Sequence, residues 1–504
     1  MKTITAGVCL ALFSAALQSH AVQYFQYDKA DTTVASTTLE RPLFYDASVV
    51  TADGKTYVTW LEFQPSKRDI VWFGIRDSAG KWLEKKQITE QSADCANPTL
   101  TRDKAGNIWL TYESAVDGKW SIFATLRNDD GAIDKPIRVS KANVTSVSHR
   151  VAAAADGGIW IVWQGDNRGQ FDIFARDIKK LDNSDAQPVQ ISDSPRGDWH
   201  PSIAITPDGD VFIAWDSYDG TAYNIRSRER HNAAWGNIMN VTASPNFNAN
   251  PDITSDQNNR VYIAWEEDGP NWGKPYRTRT NAKVNSTKMS DDLGSVHRFR
   301  QLHLGELIKD NSAVREIEVP QPSFAQAAAR KDAPAGIKKL GVFYQSPQLT
   351  TDASNHVWLA YRHFYMPTMG ITQNHHMQND WGIYARCFEN GTWSKLFRFD
   401  YGQGDALQRI AISPTTNGIS VAYTFGRTDR RNPQNYVEDE IAPNKVVKHV
   451  SKKRGPSGDD EGDEESAAPK KPKQARTRNQ ANDDEHPLPS DGRGVAIASV
   501  TVEE

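Results

Sequence analysis

A short apolar run ending in Trp or Tyr recurs along the chain, each time after a Gly or Asn. The runs are Thr56 to Trp60, Ile108 to Tyr112, Ile159 to Trp163, Val211 to Trp215, Val261 to Trp265, Val357 to Tyr361 and Ile419 to Tyr423. The first five closing aromatics are spaced about 50 residues apart, and longer intervals follow Trp265 and Tyr361. Runs apolar on both faces predict strands covered on both sides. Six residues before each aromatic stand Gly54, Gly106, Gly157, Gly209, Asn259, Asn355 and Asn417. These residue types enter positive φ at low cost and mark a tight turn between antiparallel strands. The penultimate residue of each run is small or β-branched: Thr59, Thr111, Val162, Ala214, Ala264, Ala360 and Ala422.

Pro98, Pro201, Pro251 and Pro347 stand fourteen residues before the aromatic, where a strand begins and a missing N–H is tolerated; Asp46, His149 and Arg409 hold that place in the other copies. A third strand follows at Asp69-Ile70, Ser121 to Ala124, Asp172 to Arg176, Asn224 to Arg226 and Ile383 to Arg386, and a fourth at Trp82, Trp235 and Trp393. Four strands repeated seven times predict an all-β, seven-bladed β-propeller of four-stranded antiparallel blades, with a β-helix or sandwich as the alternative. No blade buries both faces alone, so stacking must supply stability. The last blade has its third strand at Gly494 to Val502, so an N-terminal strand within Gln23 to Arg41 is expected to close it.

Two inserts interrupt the pattern. Residues 268–345 expand blade five and include His297 to Leu304, expected as its displaced third strand. Residues 432–491, in blade seven, carry Lys452-Lys453-Arg454 and an acidic run from Asp459 to Glu465; such charge blocks predict disorder. At the start, Lys2, an apolar run from Ala6 to Leu17 and Ser19-His20-Ala21 predict a signal peptide over 1–21, cleaved after Ala21. Residues 22–504 are then one propeller domain, periplasmic or secreted from a bacterium. Cys95 and Cys387 fall in non-adjacent repeats and are expected as buried free thiols. A formal net charge of −4 argues against a broad basic nucleic-acid surface, and no membrane span is expected.

In this fold the loops between blades gather on one face around the channel. Tyr45, Asn97, Ser148, His200, Asn250, Ser346 and Gln408 are expected to line that rim. All are polar, which suits either a water-filled channel or a polar ligand such as a sugar or anion. The residue after each aromatic should reach the same face, which adds Glu113, Asp216, Glu266 and Arg362, with Trp199, Tyr218 and Trp272 in neighbouring loops. Asp216 and Glu266 on adjacent blades are the carboxylate pair that glycoside hydrolysis would need. His363, His375, His376 and Asp380 have metal-ligand chemistry but no zincin-like spacing, so no metal or other cofactor is expected. Walker, dinucleotide-glycine and Gly-x-Ser-x-Gly motifs are absent.

The repeats resemble sialidase-like and bacterial surface-type propellers, although the Ser-x-Asp-x-Gly-x-x-Trp box of sialidases is missing and Thr51-Ala52-Asp53-Gly54 is spaced differently. Nothing in the spacing of Arg150, Arg362, Arg409 and Arg427 selects a carboxylate-binding triad. Ala264-Trp265-Glu266-Glu267-Asp268-Gly269-Pro270-Asn271-Trp272-Gly273-Lys274, Gln301-Leu302-His303-Leu304 and Tyr423-Thr424 carry a closer resemblance. It is to an uncharacterised group of secreted bacterial proteins in which such a propeller precedes a PHP-like metal-dependent domain. That domain, opening on a Gly-Asp-Leu-His-type motif, is not found before Glu504, so its hydrolase activity is not carried over. The expected function is a non-catalytic ligand-binding or scaffolding module, for glycans or other polar ligands. The alternative is a sialidase-like glycoside hydrolase.

Overall fold

The computed structural model describes residues 22–24, 43–63, 69–90, 93–128, 131–181, 187–269, 300–308, 313–321, 343–365, 380–394, 396–399, 410–425 and 494–502. The expected signal peptide, Trp272, His375, His376, Gln408 and the 432–491 insert lie outside them. By compactness the chain divides into one unit of residues 1–428 and 492–504 and another of 429–491.

The first unit is an all-β propeller of antiparallel blades. Each repeat folds as a meander, as in Asp198–Ile205, Val211–Tyr218, Tyr223–His231 and Ala234–Asn240, hydrogen-bonded in that order. The fifth repeat does the same with Phe247–Ser255, Val261–Asp268, Gln301–Leu307 and Val314–Ile317, so its third strand is displaced as expected and starts at Gln301. First strands of successive repeats touch in turn, and Ile410–Thr415 returns to Leu43–Ala52. Val22–Tyr24 pairs antiparallel with Gly494–Val502.

The expected seven separate blades are corrected by the hydrogen bonding, which gives five. The fourth and fifth repeats merge into one sheet through a parallel Tyr223 to Phe247 pairing. The sixth and seventh are grouped as one sheet as well, with no direct strand pair between them among the described residues. Periodicity counts repeats, whereas hydrogen bonds between neighbouring repeats decide which of them join.

The core is divided into clusters, each shared by two successive repeats. One joins Trp109, Ile122 and Ala124 to Ile159, Ile161 and Trp163; another joins Phe212, Ala214 and Ile225 to Ile253, Ile263 and Trp265. The closing Trp60, Trp163, Trp215 and Trp265 are at most 2% exposed. Burial of such a side chain contributes on the order of 2–3 kcal/mol. Thr59, Thr111, Val162, Ala214, Ala264, Ala360 and Ala422 expose no surface at all, which is why those positions must be small. Cys95 and Cys387 are free and buried, as expected, and burial raises both thiol pKa values.

Candidate functional site

Every described rim position has an unusual backbone. Asp46, Asn97, Ser148, His200, Asn250 and Ser346 all have φ between 46° and 56°. At each, the first strand slips register against the second, as between Trp199 and Ser202 or Ala249 and Asp252. The extra residue of such a bulge turns its N–H out of its own ladder. In the first repeat the bulge residue is Asp46 rather than the counted Tyr45. There the hairpin closes tightly at Ala52 and Lys55 around Asp53 and Gly54, one residue shorter than in the second to sixth repeats.

The freed N–H groups are taken up by side chains of the preceding repeat. Gln164 Oε1 accepts from His200 N (3.0 Å), Asp216 Oδ1 from Asn250 N (3.2 Å) and Glu266 Oε2 from Ser346 N (3.2 Å). Asp46 receives Asn97 N at 3.0 Å, and Glu113 receives His149 N at 3.2 Å. The polar residues that follow the closing aromatics, with Asp46 in the first repeat, therefore latch one repeat to the next. Ser202 and Asp252 add a deeper layer: Ser202 Oγ donates to Asp252 Oδ1 (2.7 Å), and Asp252 Oδ2 accepts Leu349 N (2.6 Å).

Asp216 and Glu266 are both buried, at 1% and 0% exposure. Asp216 Oδ1 also takes His200 Nδ1 at 2.9 Å, whereas Glu266 Oε1 takes Arg300 Nη1 at 2.7 Å and the Asn250 amide. Burial pushes the Glu266 carboxyl pKa up, against Arg300. Asp252 is likewise raised by burial, with Arg150 opposing. For His200, burial lowers the pKa but the Asp216 carboxylate, helped by Glu266, raises it more, and the net direction is up. Half of the His200 side chain (51%) is exposed. Asp268 is raised to about 7, first by burial and then by Glu266 and Glu267; its Oδ1 accepts Gly269 N–H, and its Oδ2 has no partner among the described residues.

The remaining predicted residues scatter. Asn97 and Glu113 are buried in a closed network with His149, in which the Asn97 amide donates to Glu113 at 2.8 Å. Arg362 is buried, and Ser148 and Ser346 are half-buried. His363 stacks on Tyr344 at 4.4 Å and meets Tyr384 edge-on. Arg300 was missed because the insert separates it from the repeat pattern. Also missed was Asp210, Glu229 and His231, whose ligand atoms lie within 4.8 Å of one another. The facing of His231 and Asp210 across a strand pair, with Nδ1 and Oδ1 at 2.7 Å, is the pairing signal that could have found it. Among the described residues no helix is long and apolar enough to cross a membrane.

No protein-family model and no curated protein matches the chain. Among solved structures it is similar to a protein of unknown function from Dyadobacter fermentans, at 9% identity and TM-score 0.44 over 92% of this chain and 96% of that one. It is similar also to a polysaccharide lyase, an ulvan lyase bound to -[GlcA(1-4)Rha3S]-, at 12% identity and TM-score 0.44 over 79% and 92%. A Hadza microbial sialidase gives 10% and 0.38 over 73% of both chains. Apart from the protein of unknown function, such neighbours are sialidase-like and glycan-active propellers. Likenesses this weak carry no argument about function.

Proposed function

We propose that this chain is an exported propeller that binds a glycan or another polar ligand at the rim of the fourth and fifth repeats, without catalysing a reaction. One observation carries the proposal: His200 stands half-exposed beside Asn250 on a buried floor of Asp216, Glu266 and Arg300. The floor presents charge to the rim while its carboxylates are already engaged by backbone N–H groups and cations. A carboxylate so engaged is a poor proton carrier, which favours binding over glycoside hydrolysis. Export follows from the leader at 1–21, and kinship with propellers preceding PHP-like domains from the Ala264 to Lys274 run. Isothermal titration against a panel of neutral and acidic oligosaccharides tests the proposal. His200→Ala is expected to abolish binding without any product forming; saccharide hydrolysis lost in a folded Asp216→Asn protein would overturn it.

A hydrolase is the second reading, and Asp268 favours it. A carboxyl with a pKa of about 7 and a free oxygen, one residue beyond Glu267, is chemically suited to donate a proton to a leaving group. Product formation lost in Asp268→Asn would support that reading.

A further inference from the structure

In the fourth repeat, sheet order runs outward from Asp198–Ile205 through Val211–Tyr218 and Tyr223–His231 to Ala234–Asn240. The rim residues His200 and Asp216 belong to the inner two strands. A cleft of about 400 Å³ opens on the outer two, lined by Ser217, Asp219, Thr221, Asn224, Arg226 and Thr242 among others. That is within the about 300–1,000 Å³ of small-molecule sites.

The walls are tied to themselves. Asp219 Oδ1 accepts from Thr221 N (2.7 Å), Thr221 Oγ1 (2.7 Å) and Ala222 N (2.9 Å), so the carboxylate in this wall serves its own turn. Asn224 Oδ1 accepts from Thr242 Oγ1 at 3.1 Å and Ser244 N at 3.0 Å. Arg226 and Asn240 face each other across the outer strand pair, and neither side chain makes a hydrogen bond or ion pair among the described residues. The neighbouring arginines on that strand are occupied: Arg228 bonds Gly236 O and Ile191 O, and Arg230 lies over Trp160. Arg226 thus keeps a guanidinium fork without hydrogen bonds beside an amide, its charge shared in part with the Asp219 carboxylate of the same wall. A planar or tetrahedral oxyanion matches that donor set.

On the opposite face of the same two strands, Tyr223 packs on Tyr218 at 4.9 Å, on Phe247 at 5.1 Å and on Trp199 at 5.5 Å, all four half-buried. We propose that this cleft binds an acidic sugar residue, with its carboxylate or sulfate on Arg226 and Asn240. The proposal deepens the glycan reading of His200 and rests on it for the choice of a sugar as the carrier of the anion.

Titration calorimetry with trigalacturonate, its neutral methyl ester and galactose 6-sulfate decides the matter. The wild-type chain is expected to bind trigalacturonate about tenfold more tightly than the ester, as one charge-assisted contact would give, with the difference shrinking at high salt. Arg226→Gln should remove that preference while leaving binding of the ester unchanged. A stronger response to galactose 6-sulfate than to trigalacturonate assigns sulfate; the reverse assigns carboxylate. Preference retained in Arg226→Gln, or no wild-type preference for either anion, overturns the cleft. If Arg226→Gln removes the preference but His200→Ala changes nothing, the rim proposal fails and the cleft stands.

Discussion

A buried carboxylate is tolerable where donors replace lost waters, and Asp216 Oδ1 receives both Asn250 N–H and His200 Nδ1. Asp216→Ala strands both donors and is expected to destabilise the fold by about 2–4 kcal/mol in urea titration, whereas Asp216→Asn, which keeps an acceptor, should lose less. Asp268 is the opposite case, a buried acid that resists ionising. Its folded pKa of about 7 lies above the ordinary 3.8, so the folded state holds a proton that the unfolded chain has already released. Stability from this group is therefore present below about pH 4 and lost as pH rises through about 7. Asp268→Asn removes the penalty. Its stability relative to wild type should improve from pH 4 to pH 8, by at most about 4 kcal/mol, in paired denaturation curves. A constant difference across that range would show that Asp268 does not titrate there.

The strand bulge is the element on which the rim depends. In four repeats a left-handed residue at the head of the first strand (Asn97, His200, Asn250 and Ser346) turns its N–H toward the preceding repeat, and a side chain of that repeat receives it. Gly accepts this backbone freely, Ser and Asn with modest strain, and a β-branched residue poorly. Ser346→Gly is expected to be close to neutral, whereas Ser346→Val should lower stability by about 1–3 kcal/mol in thermal or urea unfolding. Equal effects would mean that the backbone conformation is not what the position demands. Hairpins at the other ends of the strands use acids differently. Asp103 and Asp352 accept backbone N–H groups of their own turns and hold the indoles of Trp109 and Trp358 at 2.9 Å.

For the molecule as a whole, stability resides in the seams between repeats, and the long late insert starts and ends beside one hairpin. Phe425 and Gly494 are paired directly across antiparallel strands. Joining them with a short Gly-rich turn in place of residues 426–493 is expected to leave the thermal midpoint within a few degrees. A collapse of the midpoint would assign residues 429–491 a structural role.

The sequence alone determined the strand content, the repeats, the aromatics that fill the seams and the polar character of the rim. Each is written locally, in a turn residue followed by an apolar run, and local spacing survives reading one residue at a time. Tertiary structure decided which repeats merge into one sheet, because the Tyr223 to Phe247 link lies between repeats and not within one. It moved the first rim position from Tyr45 to Asp46, since a hairpin shorter by one residue shifts the register of everything before it. It also gave Asp216, Glu266, Asn97 and Glu113 partners one repeat away, across intervals in which no sequence period encodes a hydrogen bond. Arg226 was legible as a strand residue, but that its fork makes no hydrogen bond among the described residues emerged only when the neighbouring arginines were seen to have partners, a property of packing that no single stretch of chain contains.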